Sequence, residues 1–304
     1  MGQGGTVSNQ DLFRHETVYA NGLNFHCVVA GEGTPVILLH GFPEFWYEWR
    51  NMLPALAETG FRAIAPDLRG YNLSDKPEGV EAYKMKHLVA DVAGLIDHYS
   101  SAGKAFVVGH DWGGVVAWAL AISKPEKVDK LIIVNAPHPG TMRRELALND
   151  NQQQASRYIH YFRRPDAEAG LSENDFFRLR RMIFQTASGP DIFPSDVQDE
   201  YVKAWSQRGA VQGGLNYYRA TEIFPDTSTK ESKSRAIEFA DSLKVKVPTL
   251  VIWGEKDQAL LTGNLEGLDS YVPDLKVIRV PDGTHWVIHE QPALIASYIT
   301  TFLQ

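Results

Sequence analysis

The stretch Phe106-Val107-Val108-Gly109-His110-Asp111-Trp112-Gly113-Gly114 decides how this chain is read. An apolar, β-branched run stops at a glycine, presents one carboxylate and restarts at paired glycines ahead of a helical pattern from Val115 to Ile122. That is a buried strand, a sharp turn and a helix. Glycines two residues either side of the centre give the layout of a nucleophile elbow, G-x-S-x-G, with aspartate in place of serine. An ordinary Gly-rich turn with Asp111 as a helix cap uses the same residues. The rest of the chain decides between the two.

Outward from the elbow the pattern is regular. Glu16 to Tyr19, Asn21-Gly22 and Leu23 to Val29 read as a β-hairpin, because Asn-Gly suits a type I′ turn. Pro35 to Leu39, Phe61 to Pro66, Ala105 to Val108 and Leu131 to Val134 are short, wholly apolar strands. Helical segments run between them at Trp46 to Thr59, Tyr83 to Ser100 and after Asp111. In the second, Leu88, Val92, Leu95, Ile96 and Tyr99 fall at helical spacing. Strands apolar throughout and alternating with helices mean a parallel sheet covered on both faces.

The alternation stops at about His138 and resumes at about Asp241. Between them the sequence predicts only helical segments: Met142 to Leu148, Gln152 to Phe162, Glu173 to Thr186, Ser195 to Ser206 and Gly213 to Phe224. Strands then return at Thr249 to Trp253 and Lys276 to Val280, with a helix near Asn264 to Tyr271 and a closing helix from Pro292 to Leu303. The expected organisation is therefore an α/β core over 1–137 and 242–304, interrupted by a helical lid over 138–241. A lid of that size suits the carboxyl ends of the strands, where open α/β sheets bind ligands.

A chain of 304 residues with net charge −7 carries no basic stripe to neutralise phosphates, which argues against a nucleic-acid partner. Lys230, Lys233 and Arg235 are interleaved with Glu231 and read as a solvated loop. The single cysteine, Cys27, excludes an internal disulfide and is expected half-buried in its alternating strand. With no signal-peptide pattern and no spanning apolar run, the expectation is a cytoplasmic protein with no membrane partner, a monomer or homodimer. Met1-Gly2-Gln3-Gly4-Gly5-Thr6 matches a myristoylation pattern, but no polybasic segment follows it, and a flexible Gly-rich tail accounts for it equally. The ten histidines show no paired ligand spacing, so no metal and no cofactor are expected.

If Asp111 is a nucleophile, it needs a base and a group that orients the base. Val251-Ile252-Trp253-Gly254-Glu255-Lys256-Asp257 puts an acid just past a strand, and Val280-Pro281-Asp282-Gly283-Thr284-His285-Trp286 puts a histidine just past the next. The order Asp111, Asp257, His285 is nucleophile, acid, histidine. Glu255 and Asp282 are alternatives for the acid.

Along nearly its whole length the chain resembles the α/β-hydrolase fold, and within it the epoxide hydrolases. His40-Gly41-Phe42-Pro43 with Glu44 to Arg50, Asp67-Leu68-Arg69-Gly70-Tyr71 with Asp75-Lys76-Pro77, and the elbow itself are similar to that family's motifs. The resemblance implies a mostly parallel eight-stranded sheet flanked by helices, with an inserted helical cap. It implies an oxyanion hole of the Phe42 and Trp112 amides, both also at the substrate, on a loop shaped by His40, Gly41 and Pro43. Two lid stretches, Tyr158-Ile159-His160-Tyr161-Phe162-Arg163-Arg164-Pro165 and Gly214-Leu215-Asn216-Tyr217-Tyr218-Arg219, resemble the family's tyrosine-bearing segments. Matched residue by residue, they imply Tyr161 and Tyr218 as the pair that binds and protonates an epoxide oxygen.

An aspartate nucleophile itself points to attack at saturated carbon, since the alkyl ester it forms can be hydrolysed at its carbonyl whereas an ether on serine could not. The expected activity is conversion of an apolar or aromatic epoxide to a vicinal diol, with no cofactor. A haloalkane dehalogenase uses the same nucleophile, and a non-catalytic binding protein could use the same scaffold. Phe42 stands where haloalkane dehalogenases often carry a halide-holding asparagine, and Trp112 where haloacetate dehalogenases carry an arginine. The lid match departs from the family at Arg163-Arg164-Pro165-Asp166, which bears on the substrate lining. Phe176, Phe177, Phe184, Phe193, Trp205 and Phe224 are the lid aromatics expected to line or pack it.

Overall fold

A computed structural model describes residues 13–221 and 240–304. Eight strands form one sheet: β1 Arg14–Ala20, β2 Leu23–Ala30, β3 Thr34–Leu39, β4 Phe61–Pro66, β5 Ala105–His110, β6 Val128–Val134, β7 Thr249–Gly254 and β8 Leu275–Val280. Their order across the sheet is β1-β2-β4-β3-β5-β6-β7-β8. β1 and β2 form the expected hairpin, with Asn21 at φ 47° and Gly22 at φ 80°, both in the left-handed region a type I′ turn demands. β2 is antiparallel to β4, and every later pairing is parallel.

The central strands are apolar throughout because both faces of the sheet are covered. Ile37, Leu39, Val107, Leu131, Ile133 and Val251 enter one core, while their neighbours Val36, Leu38, Val108, Ile132, Leu250 and Ile252 enter the other, all of them fully buried. Helices α1 Met52–Glu58, α2 Met85–Tyr99 and α3 Asp111–Ser123 follow the early strands. α4 Pro139–Leu148, α5 Asp150–Ala155, α6 Tyr158–Phe162, α7 Ala167–Phe184, α8 Ser195–Trp205 and α9 Ala210–Ala220 fall between β6 and β7. α10 Val287–Glu290 and α11 Pro292–Leu303 close the chain. None of these helices is long and apolar enough to cross a membrane.

The structure departs from the sequence expectations in five places. Trp46 to Thr59 is not one helix but a 3₁₀ turn, Trp46–Trp49, and then α1. Pro54 has no N–H and would strike the Arg50 carbonyl in a continuous helix, so α1 starts with Pro54 in its first turn. Gln152 to Phe162 is divided into α5 and α6 at Ser156 and Arg157. α7 begins earlier than expected and is broken at Glu173 to Phe176, where Asn174, Asp175 and Phe176 hold φ of 50°, 55° and 57°. Asn264 to Tyr271 forms only the 3₁₀ turns Thr262–Leu265 and Leu268–Ser270, separated by Gly267 at φ 64°. Cys27 is fully rather than half buried, since β2 is an interior strand, and burial pushes its thiol up to about 12. Phe224, the Lys230 cluster, the lid's end before 240 and the N-terminal Gly-rich tail lie outside the described residues.

Candidate active site

β5 ends at His110, and Asp111 opens α3 with φ 47°, a conformation that costs a non-glycine residue about 1 kcal/mol or more. The turn packs directly on the end of β3. A Cβ on Gly113 would stand 2.1 Å from the Leu39 carbonyl oxygen, so only glycine lets the strand and helix meet here.

The loop after β3 closes over the carboxylate. The Phe42 amide donates to Asp111 Oδ1 at 2.8 Å, and Gly41 leaves room for this approach, since a Cβ there would lie 2.4 Å from that of Asp111. His40 fixes the loop from below: Nδ1 donates to the Gly41 carbonyl at 2.9 Å, and Nε2 accepts from the Leu68 amide at 3.0 Å. That pair of bonds selects the neutral tautomer, in line with burial holding its pKa below the ordinary histidine value. Pro43 follows a cis peptide, and its carbonyl accepts the Trp205 indole N–H at 2.6 Å.

The acid and histidine arrive from β7 and β8. His285 Nδ1 lies 2.7 Å from Asp257 Oδ2, and His285 Nε2 lies 3.7 Å from Asp111 Oδ2. Asp257 is buried and fully engaged: Oδ2 also accepts from Asn135 at 2.8 Å, and Oδ1 accepts the Ala259 and Leu260 amides at 2.8 and 2.9 Å. Burial alone would raise its pKa, but the His285 charge and these donors outweigh it and hold the carboxyl below its usual range. The two alternatives point elsewhere, Glu255 to Arg279 at 2.8 Å and Asp282 to Lys256 at 2.7 Å.

Asp111, Asp257 and His285 face a cavity of about 250 Å³ lined also by Phe42, Tyr158, Phe162, Met182, Tyr218 and Trp286. Two phenols, those of Tyr158 and Tyr218, share it, their rings edge to face at 6.2 Å. Burial first, then the Asp111 charge, raises both phenol pKa values, so both stay protonated at neutral pH. The Tyr218 oxygen also takes a side-chain hydrogen bond from the Trp112 indole, which can only donate.

Tyr161 is not in this cavity, which corrects the expectation that it pairs with Tyr218. It faces a neighbouring space on the outer side of α6, and Tyr158 takes its place. Helical spacing separates Tyr161 from Tyr158 and Phe162 but does not say which face meets the cavity. Ala155, Tyr158 and Phe162 lie three and four residues apart and line one cavity, while Tyr161 sits about 100° round the helix from Phe162. Of the neighbouring candidates, His160 is exposed and Tyr217 is buried with its hydroxyl on the Arg69 carbonyl at 2.9 Å. Trp112, expected at the substrate, is buried with its ring edge-on to Tyr217 and Tyr218. Phe184, Phe193 and Trp205 pack around Tyr201, Phe176 packs on Trp205 and Phe177 is exposed, so these lid aromatics do not line the cavity at Asp111.

Behind the elbow lies a buried polar cluster that sequence spacing did not reveal. His110 Nδ1 approaches Glu48 Oε1 at 2.8 Å and Glu44 Oε2 at 3.5 Å, while its Nε2 lies 2.9 Å from the His285 carbonyl. Glu48 Oε2 accepts the Gly41 amide at 3.0 Å, and Glu44 Oε1 meets Tyr201 Oη and His289 Nε2 at 2.6 Å each. Glu44, Glu48 and His110 bring ligand-type atoms within 4.8 Å of one another, a donor set able to hold a cation. Burial disfavours charge on His110, but Glu48 and Glu44 override it and hold its pKa well above the ordinary value. Burial first, then the Glu44 charge, push the Glu48 carboxyl up to about 8, so Glu44 is the carboxylate of the cluster, and the protonated imidazole between them braces both the Phe42 loop and His285.

The family model for the alpha/beta hydrolase fold matches residues 34–292. Epoxide hydrolase 4 of Mus musculus is 35% identical over 93% of this chain and 77% of its own. This chain belongs to the α/β-hydrolase fold family and, within it, to the epoxide hydrolases. AB hydrolase superfamily protein YfhM of Bacillus subtilis is 41% identical over 97% of this chain and 99% of its own. Among solved structures, the epoxide hydrolase of Bacillus megaterium bound to an inhibitor superposes with a TM-score of 0.88 at 34% identity, covering 95% of this chain and 99% of that one. A variant of the same enzyme, bound to a naphthyloxy-propanediol product, gives a TM-score of 0.85 at 33% identity, with the same coverage of each chain.

Proposed function

We propose that this epoxide-hydrolase family member converts apolar, aromatic epoxides to vicinal diols through a covalent ester on Asp111. The observation that carries the reading is the pairing, in one apolar cavity, of a carboxylate with two protonated phenols. A halide leaves as a stable anion and needs only weak donors. An epoxide oxygen leaves as an alkoxide and needs a proton, which a phenol supplies.

The hydrogen bonds of Asp111 distinguish its two oxygens. Oδ1 is occupied by the Phe42 amide, leaving Oδ2, on the His285 side, to attack a ring carbon. The carbon–oxygen bond opens, Tyr158 or Tyr218 passes its proton to the alkoxide, and an alkyl ester remains. His285 Nε2 then takes a proton from water, whose oxygen adds to the Asp111 carboxyl carbon. Charge develops on Oδ1, where the Phe42 amide already points and where the Trp112 amide at the start of α3 is the second donor. On collapse His285 Nε2 passes its proton to the departing alkoxide and the diol leaves, while the proton left on the new Asp111 carboxyl returns to the phenolate and restores the carboxylate. Asp257 keeps His285 in the tautomer that presents a bare Nε2.

Incubation with styrene oxide and, separately, with a chloroalkane tests the reading. Diol formation without chloride release is expected, and chloride release without diol formation would replace it with dehalogenation. Tyr158→Phe and Tyr218→Phe are each expected to lower kcat about 10–100-fold, since general acids contribute about 10²–10⁴ and two phenols share the task. Tyr161→Phe, altered outside the cavity, should cost far less. Steady-state kinetics on styrene oxide for the three variants checks the order.

A further inference from the structure

β6 ends at Val134, and the next residue leaves the sheet. Asn135 holds φ 38°, a left-handed conformation that asparagine tolerates better than most residues with a side chain. Its backbone amide still makes the next ladder bond, donating to the Ile252 carbonyl at 3.1 Å. Beyond that point the side chain takes over from the departing backbone. Oδ1 accepts the Gly254 amide at 2.7 Å, and Nδ2 reaches the Gly254 carbonyl at 3.3 Å. One side chain therefore meets both polar groups of the last residue of β7.

These bonds fix which way the amide faces. With Oδ1 on a donor, Nδ2 must turn to acceptors, and it also donates to Asp257 Oδ2 at 2.8 Å. That is the same oxygen that takes the His285 Nδ1–H at 2.7 Å. Asn135 is fully buried, where a hydrogen bond left unmade is costly. Gly254 bears on the histidine as well. A Cβ on it would stand 2.4 Å from the Thr284 carbonyl oxygen and 2.7 Å from that of Gly283, so the backbone just before His285 rests on the end of β7. Asn135 thus holds both the carboxylate and the strand end beneath the loop that carries the imidazole.

We propose that Asn135 is a positioning residue for hydrolysis of the Asp111 ester: it sets the Asp257 carboxylate in line with the His285 Nδ1–H and has no part in ring opening. The inference rests on the reading of Asp111 as a covalent nucleophile. In that reaction Asp111 Oδ2 and the phenols open the epoxide, while His285 works only when water adds to the ester. An asparagine acting through Asp257 on His285 then affects the second step alone. A merely structural link between β6 and β7 would disturb both steps alike.

Asn135→Gly tests this in the full chain, since glycine accepts the left-handed turn and removes only the amide. Rapid-quench mass spectrometry with protein in excess over styrene oxide separates growth of the ester from its decay. Growth is expected within about twofold of the unaltered protein and decay slower by roughly 10–100-fold, the worth of one hydrogen bond to a charged group. Asn135→Asp supplies a second test. A protonated acid at this position can donate to Asp257 as the amide does, whereas an ionised one faces another carboxylate. Its ester decay rate, divided by that of the unaltered protein at the same pH, should therefore rise as pH falls. Equal slowing of both steps in Asn135→Gly, unchanged decay, or a ratio for Asn135→Asp that does not move with pH overturns the proposal. If the unaltered protein forms no ester, the ester reading fails, and proton NMR without substrate decides the role of Asn135. The His285 Nδ1–H signal is expected far downfield and protected in the unaltered protein, and lost to exchange in Asn135→Gly. The same signal in both overturns the positioning role.

Discussion

Asp111→Asn is expected to lower turnover of an epoxide by about 10⁴-fold or more, the scale of loss when a covalent nucleophile is removed. The amide is close to the carboxylate in shape, so the fold should persist: its oxygen can still accept the Phe42 amide, as Oδ1 does at 2.8 Å. Its nitrogen then occupies the Oδ2 position facing His285, and an amide nitrogen does not attack saturated carbon. Any slow return of activity should track conversion of the side-chain amide to the acid. The check is kcat on freshly purified protein, with circular dichroism to confirm folding. Near-native turnover would remove Asp111 from the centre of the chemistry.

The second large effect is on stability. His110→Leu leaves the Glu44 carboxylate buried behind the elbow without this cation, and frees the Gly41 loop and His285 from a common brace. Breaking a buried ion pair from one side costs about 3–5 kcal/mol, because the remaining charge is left uncompensated. Urea unfolding at neutral pH measures the loss. The pH matters in a definite direction: the folded pKa of His110 is raised, so its contribution is full below the unfolded value and is lost only as pH rises through the raised one. Adding Glu44→Gln to His110→Leu removes the stranded carboxylate and should recover part of the stability. A double variant no more stable than the single one would contradict the shared-charge reading.

The residues that sequence placed correctly are those governed by local pattern. A strand, a bare turn and a helix around Asp111 follow from apolar periodicity and paired glycines, and the strand ends carrying Asp257 and His285 follow from the same reasoning. The hairpin at Asn21-Gly22 was legible because its turn chemistry admits few conformations. What was not legible depends on packing between distant segments. Whether Tyr158 or Tyr161 enters the cavity turns on the rotation of a five-residue helix, which its neighbours set and its own sequence does not. The Glu44, Glu48, His110 and His289 cluster draws on segments far apart in the chain, and no spacing rule brings them together. The break in α7 at Glu173 to Phe176 contains neither glycine nor proline, and its local signal is the weak one of Asn174-Asp175, residue types that tolerate the left-handed region.

The central claim is an ester between Asp111 and substrate carbon, released only through His285. His285→Gln keeps the nucleophile, the Phe42 amide and both phenols, so the first step should proceed while water is no longer activated. Intact mass spectrometry of this variant after exposure to styrene oxide is predicted to show one adduct of the whole epoxide mass, since nothing leaves, mapped by digestion to the peptide containing Asp111. Full turnover by His285→Gln, or a folded variant that gains no mass, would contradict the account.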